Sequence, residues 1–156
     1  MIDYQALFHV GVRVADLGAA MEELGAGLGV TWAEVREADA QQIWTPDDGT
    51  VEVPLRYTYS VEGPQHVELL EGAAGSFWDG RDHPGAHHVG IWVDDIGAET
   101  ERLIDLGWSL VGAFRSPQEG YGVFTYLRPP TGLIVELVDR AVLAHFEAWW
   151  AAARTE

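Results

Sequence analysis

The chain contains no cysteine. That excludes disulfides, thiolate nucleophiles and zinc–thiolate sites, so any metal must be held by imidazole and oxygen. Lysine is absent too: the nine basic residues are all arginines, scattered singly among 25 acidic ones, and the formal net charge is −16. Counterion-release binding needs a basic face, so the balance argues against nucleic acid and anionic membrane as partners. It also disfavours a polyphosphate handle such as a nucleotide or coenzyme A. Solubility accounts for the acidity without a further role. No apolar stretch approaches a membrane span, and the opening MIDYQALFHV has neither a basic n-region nor a small-residue cleavage site; the expectation is a cytoplasmic protein.

What remains is 156 residues, 47% hydrophobic, enough for one domain over 1–156 with a real core. Its organisation is a duplication. FHVGVRVADLGAA near the start returns as HHVGIWVDDIGAE, and with His9 set on His88 nine of sixteen positions agree, from His9/His88 through Asp16/Asp95 to Leu24/Leu103. Each half closes on Val-Glu-Leu, around Glu68 and around Glu136. Two units are too few, and each is too long, for a solenoid.

Each unit parses the same way. Alternation marks a strand with Val10, Val12 and Val14 opposite His9, Gly11 and Arg13, and a second with Val89, Ile91 and Val93 opposite His88, Gly90 and Trp92. Asp16 and Asp95 stand as N-caps, Gly29 and Gly107 as helix stops. Strand-like runs follow at 30–37, 53–61 and 66–71, then at 108–114, 121–127 and 133–139, with turn-rich connections. The prediction is α+β: two tandem βαβββ modules, about 5–72 and 85–139. A C-terminal helix at about 140–154 carries Phe146, Trp149 and Trp150 at helical spacing, a stripe suited to core or dimer packing.

A glutamate inside an apolar strand is costly to bury unless it is paired or binds a metal. Here two such glutamates and two histidines hold equivalent places in two copies of one unit. If the copies pack about a pseudo-twofold axis, the four side chains converge, and two imidazoles with two carboxylates suit a borderline divalent ion.

HVGVRVADLGAA, HVELLE, HHVGIWVDDI and PPTGLIVELVD together resemble the signature strands of the vicinal oxygen chelate superfamily. That group includes glyoxalase I, methylmalonyl-CoA epimerase, extradiol dioxygenases, and bleomycin- and fosfomycin-resistance proteins. The resemblance spans nearly all but the C-terminal helix, and GSFWDGRDHPGAHHVGIWVDD is similar to the glyoxalase- and epimerase-like branch. It implies that the two modules form a curled, partly closed mixed sheet around a metal site, with metal ligands at His9, Glu68, His88 and Glu136, His66 the alternative to Glu68, and one divalent ion drawn from zinc, nickel, cobalt, manganese or iron. Methylmalonyl-CoA epimerases commonly carry glutamine where Glu68 stands; the His, Glu, His, Glu set is closer to glyoxalase I, without a recognisable glutathione-binding cluster.

The implied activity is a metal-dependent isomerase or epimerase, or a glyoxalase-type lyase. It would abstract a proton next to a carbonyl by way of a chelated enediolate or enolate, with Glu136 or Glu68 as base. Two alternatives stand beside it. One is a non-haem Fe(II) dioxygenase, against which the fourth protein ligand counts; the other is a drug- or metabolite-binding resistance protein. Strand face and proximity offer Arg13, Trp44, Tyr57, Tyr59, Trp92, Phe124 and Tyr126 as the wall for a small carbonyl-containing substrate, with Gln41–Trp44 as a loop over the mouth. A homodimer is the expected assembly.

Overall fold

Asp16 and Asp95 begin the two long helices of the repeats identically. Each carboxylate accepts the N–H three residues on, from Ala19 and from Ala98, at 2.9 Å. Such a cap satisfies one of the donors a helix start leaves open. Replacing Asp95 by alanine is expected to cost ~1 kcal/mol of unfolding free energy in a urea melt; no loss would mean that water satisfies that donor equally well.

The computed structural model describes residues 1–155. Its strands and helices run β1 (Leu7–Arg13), α1 (Leu17–Leu28), β2 (Arg36–Thr45), β3 (Gly49–Tyr59) and β4 (His66–Gly72). The order then repeats as β5 (Gly85–Val93), α2 (Ile96–Asp105), β6 (Ser109–Ala113), β7 (Phe124–Arg128) and β8 (Val135–Asp139), and α3 (Leu143–Ala153) follows. The expected βαβββ order thus occurs twice. The eight strands form a mixed sheet closed as a barrel in the order β1-β4-β3-β2-β6-β7-β8-β5. In each repeat the first and last strands pair in parallel, β1 with β4 and β5 with β8. Among the described residues no helix is long and apolar enough to cross a membrane.

Contacts divide the chain into two compact units, each assembled from separate stretches of sequence. One comprises 1–8, 42–52 and 88–143, the other 9–41, 53–87 and 144–156. In the first, Ile91 and Val93 of β5, Val135 and Leu137 of β8 and Leu127 of β7 bury one sheet face against Ile96 and Leu103 of α2. Thr100 and Thr125 are fully buried there and satisfy each other at 2.9 Å. Strand alternation therefore commits His88, Tyr126 and Glu136 to the opposite face.

The second unit repeats the logic. Leu17 at the start of α1 and Leu69 of β4 are fully buried, and the Leu17 N–H donates to Glu71 at 2.6 Å. Glu71 and Leu69 share one face of β4, which leaves His66, Glu68 and Leu70 on the other. Gly80, in the connection from β4 to β5, is dictated by close approach: a Cβ there would lie 2.3 Å from the carbonyl oxygen of Val14.

Three sequence expectations need correction. The strand expected over 30–37 lies instead at Arg36–Thr45, so Gln41–Trp44 belongs to β2 and is not a loop. The earlier stretch is tied down without a ladder of its own: the Trp32 indole donates to the Met21 carbonyl of α1, and Ala33 N–H to the Tyr59 carbonyl, both at 2.9 Å. β7 starts at Phe124, because Tyr121 turns the chain at φ 70° while its hydroxyl donates to Glu101. Burial, with Glu101 beside it, pushes that phenol up to about 12. The C-terminal segment opens as a 3-10 turn over Arg140–Val142 before α3 proper.

Candidate metal centre

His9 lies in the middle of β1 and is fully buried; Glu68, on β4, is 6% exposed. The parallel register sets Gly11 beside Glu68 and His9 beside His66. This brings His9 Nε2 to 3.3 Å from Glu68 Oε2. The second repeat builds the same pair. β5 and β8 set Gly90 beside Glu136, and His88 Nε2 lies 3.3 Å from Glu136 Oε2, with His88 2% and Glu136 6% exposed. In both registers the position beside the glutamate is a glycine.

One donor atom from each of His9, Glu68, His88 and Glu136 lies within 4.8 Å of the other three. Four buried donors at such separations, two neutral-capable imidazoles and two carboxylates, match what a borderline divalent ion takes up, and two carboxylates formally balance its charge. The donor set thus fits the ion that the sequence implies.

His66 is not in that group. Its Nδ1 lies 2.6 Å from the Ser60 carbonyl, which can only accept, so Nδ1 carries the proton. Its ring stacks on Trp150 at 3.8 Å, and burial holds its pKa below the usual histidine range.

A tyrosine accompanies each pair. Tyr59 of β3 is in register with Glu68, and Tyr126 of β7 with Glu136. The two rings meet the histidines edge-on, Tyr59 at 5.3 Å from His9 and Tyr126 at 5.0 Å from His88. The duplication therefore extends to a third residue, which the sequence offered only as a wall aromatic. The visible trace is a tyrosine nine residues before one glutamate and ten before the other.

The remaining candidates are placed as follows. Phe124 lies 5.5 Å from Tyr126, and half-buried Tyr57 meets Trp149 edge-on at 5.8 Å. Trp92 shares the His88 strand face, but its indole stacks on Phe8 at 3.9 Å, and Trp44 packs against the apolar cluster under α2. Arg13 donates from Nη1 to the Phe77 carbonyl at 3.3 Å, and its Nε is buried without a partner among the described residues. Burial lowers the Arg13 pKa, and Asp79 nearby opposes the shift.

No curated relative matches the sequence. Among solved structures, methylmalonyl-CoA epimerase from Mycobacterium tuberculosis superposes with a TM-score of 0.60 at 21% identity, covering 92% of this chain and 97% of its own. A hypothetical protein from Bacillus halodurans gives 0.64 at 17% identity, covering 86% and 93%. A mutant 4-hydroxymandelate synthase from Streptomyces coelicolor gives 0.58 at 17%, covering 85% of this chain and 48% of the synthase. At such identities the likeness is one of fold. The sequence profile described as "Glyoxalase/Bleomycin resistance protein/Dioxygenase superfamily" matches residues 8–125, a span that holds His9, Glu68 and His88 and stops short of β8. With well over half its length matched, the chain belongs to the glyoxalase/bleomycin resistance protein/dioxygenase superfamily.

Proposed function

We propose that this protein is a divalent-metal-dependent isomerase or epimerase, or a lyase of the glyoxalase type, that moves a proton on the carbon next to a carbonyl. The observation that carries the reading is the second carboxylate. Glu136 joins Glu68, His9 and His88 in one buried group, where three donors would satisfy an oxygen-activating iron. Bound there, the ion is a Lewis acid for neighbouring substrate oxygens and stabilises the negative charge that proton removal creates.

His9 and His88 hold the ion as neutral ligands. One glutamate, Glu136 or Glu68, would take the proton from carbon. In an epimerase a proton must arrive on the opposite face of the enolate; in an isomerase or glyoxalase-type lyase the same carboxylate delivers the proton it took to the neighbouring carbon when that proton has no quick path to water. Burial of both glutamates favours that retention. Arg13, with its buried unpartnered Nε, supports a polar or anionic group on the substrate, and Tyr57, Phe124 and Tyr126 support an apolar, partly aromatic body. The structural likeness to methylmalonyl-CoA epimerase makes thioesters worth testing, although an acidic chain with scattered arginines is a poor host for a nucleotide handle.

Purified protein is expected to carry about one equivalent of divalent metal per chain, as one four-donor group among the described residues requires. In D2O it should exchange the hydrogen next to the carbonyl in a responsive member of a panel that includes methylmalonyl-CoA, without consuming oxygen. Oxygen uptake dependent on ferrous iron would establish a dioxygenase instead. Tight ligand binding indifferent to chelator, with no product, would establish a sequestering protein.

A further inference from the structure

We propose that Tyr59 is a positioning residue for the metal centre, held in place by the aromatic face of α3. This rests on the four-donor group binding an ion. The Tyr59 hydroxyl donates to Glu68 Oε1 at 2.7 Å, while the other oxygen of the same carboxylate, Oε2, lies 3.3 Å from His9 Nε2. The two oxygens are thereby given different tasks. Oε1 is occupied by a phenol, and Oε2 is turned to the side where His9 presents its donor.

The phenol can do this only if its ring is fixed, and it is. Tyr59 is 3% exposed and is met edge-on by Phe146 at 5.4 Å, Trp149 at 5.6 Å and Trp150 at 6.0 Å, with His9 at 5.3 Å. Three of those four rings come from α3. The helix is itself anchored, since the Trp149 indole donates to the Glu34 carbonyl at 2.9 Å, the Arg36 guanidinium lies 3.8 Å over the Trp149 ring, and Trp150 stacks on His66. The stripe that reads from sequence as generic packing is thus a clamp on one ligand's hydrogen-bond partner. Partners of this kind fix ligand orientation and tune the affinity of metal sites.

The register deepens the point. Tyr126 occupies the equivalent place opposite Glu136 and meets His88 as Tyr59 meets His9. At Glu68 the donor is a phenol fixed by the aromatic residues of α3, and the proposal gives this carboxylate the role of staying on the ion while substrate comes and goes.

The test is a Co²⁺ titration of the chelator-stripped full-length protein, followed by visible absorption, with wild type, Tyr59→Phe and Phe146→Ala compared. Loss of the hydroxyl is expected to weaken Co²⁺ binding by about 10- to 100-fold and to shift the ligand-field bands. Phe146→Ala, which keeps the hydroxyl and loosens the clamp, should change the bands in the same direction with a smaller loss of affinity. A purely structural tyrosine would lower the melting temperature of the apo protein and leave the cobalt spectrum unchanged. Wild-type affinity and spectrum in Tyr59→Phe would overturn the assignment. Failure of the wild type itself to bind Co²⁺ would overturn the metal centre beneath it, a distinguishable outcome.

Discussion

Glu136→Gln is expected to reduce kcat by about 10²- to 10⁴-fold, the range a positioned proton-transfer group supplies, while the protein still takes up metal. Glutamine keeps the size of the side chain and one oxygen for coordination, and removes the basicity together with one negative charge. Glu68→Gln is the companion measurement. If Glu68 is anchored through Tyr59, its substitution should fall more heavily on metal affinity than on turnover of the loaded enzyme. The informative quantity is therefore the ratio of turnover lost to metal lost in each variant. Equal, near-wild-type turnover in both would remove both glutamates from the proton transfer, and loss of metal in proportion to activity would make each a ligand only.

The largest expected effect on stability lies away from the chemistry. Trp78→Ala should cost about 3–5 kcal/mol and lower the melting temperature by roughly 6–20 °C. Trp78 sits in the connection between β4 and β5, where a loop would ordinarily lie on the surface, yet its side chain is 2% exposed. Its carbonyl accepts from Gly72 at 3.2 Å, and Asp79 beside it accepts from Gly75 at 2.9 Å and Arg81 at 2.8 Å. Gly80 then passes against the backbone at Val14. The connection is built like core, and removing its largest side chain leaves a cavity with little room to collapse. A loss below ~1 kcal/mol in a denaturant melt, the size of an ordinary surface change, would show that this segment contributes nothing beyond joining two strands.

Much of the fold was legible because duplication supplied its own control. The His9 and His88 strands, the caps at Asp16 and Asp95 and the buried glutamates each occur twice, so a reading that made sense of one copy could be checked against the other. Strand periodicity sets Glu136 on the face opposite Val135 and Leu137, which lie in the cluster with Ile91, and sets Glu68 opposite buried Leu69. Legibility failed where the physics is tertiary. The β2 run Arg36–Thr45 is mostly polar, with Ile43 its single fully buried residue. No apolar alternation announces it, and neighbouring strands supply what the local sequence lacks. The stacking of Trp92 on Phe8 was invisible for another reason: face parity says which side a ring leaves from, not what it meets. The hydrogen bond between Tyr59 and Glu68 spans adjacent strands whose register no single sequence reveals.

Between His9 and Glu68 the chain runs 59 positions, between His88 and Glu136 only 48, yet the imidazole–carboxylate distance is 3.3 Å in both. Parallel pairing explains the indifference, because the partners of a parallel ladder are joined through a long excursion rather than a tight hairpin. Within each repeat, the excursion can lengthen or shorten while the coordinating atoms keep their places. The scaffold thereby absorbs a difference of eleven positions in the connection without changing the spacing of either imidazole–carboxylate pair.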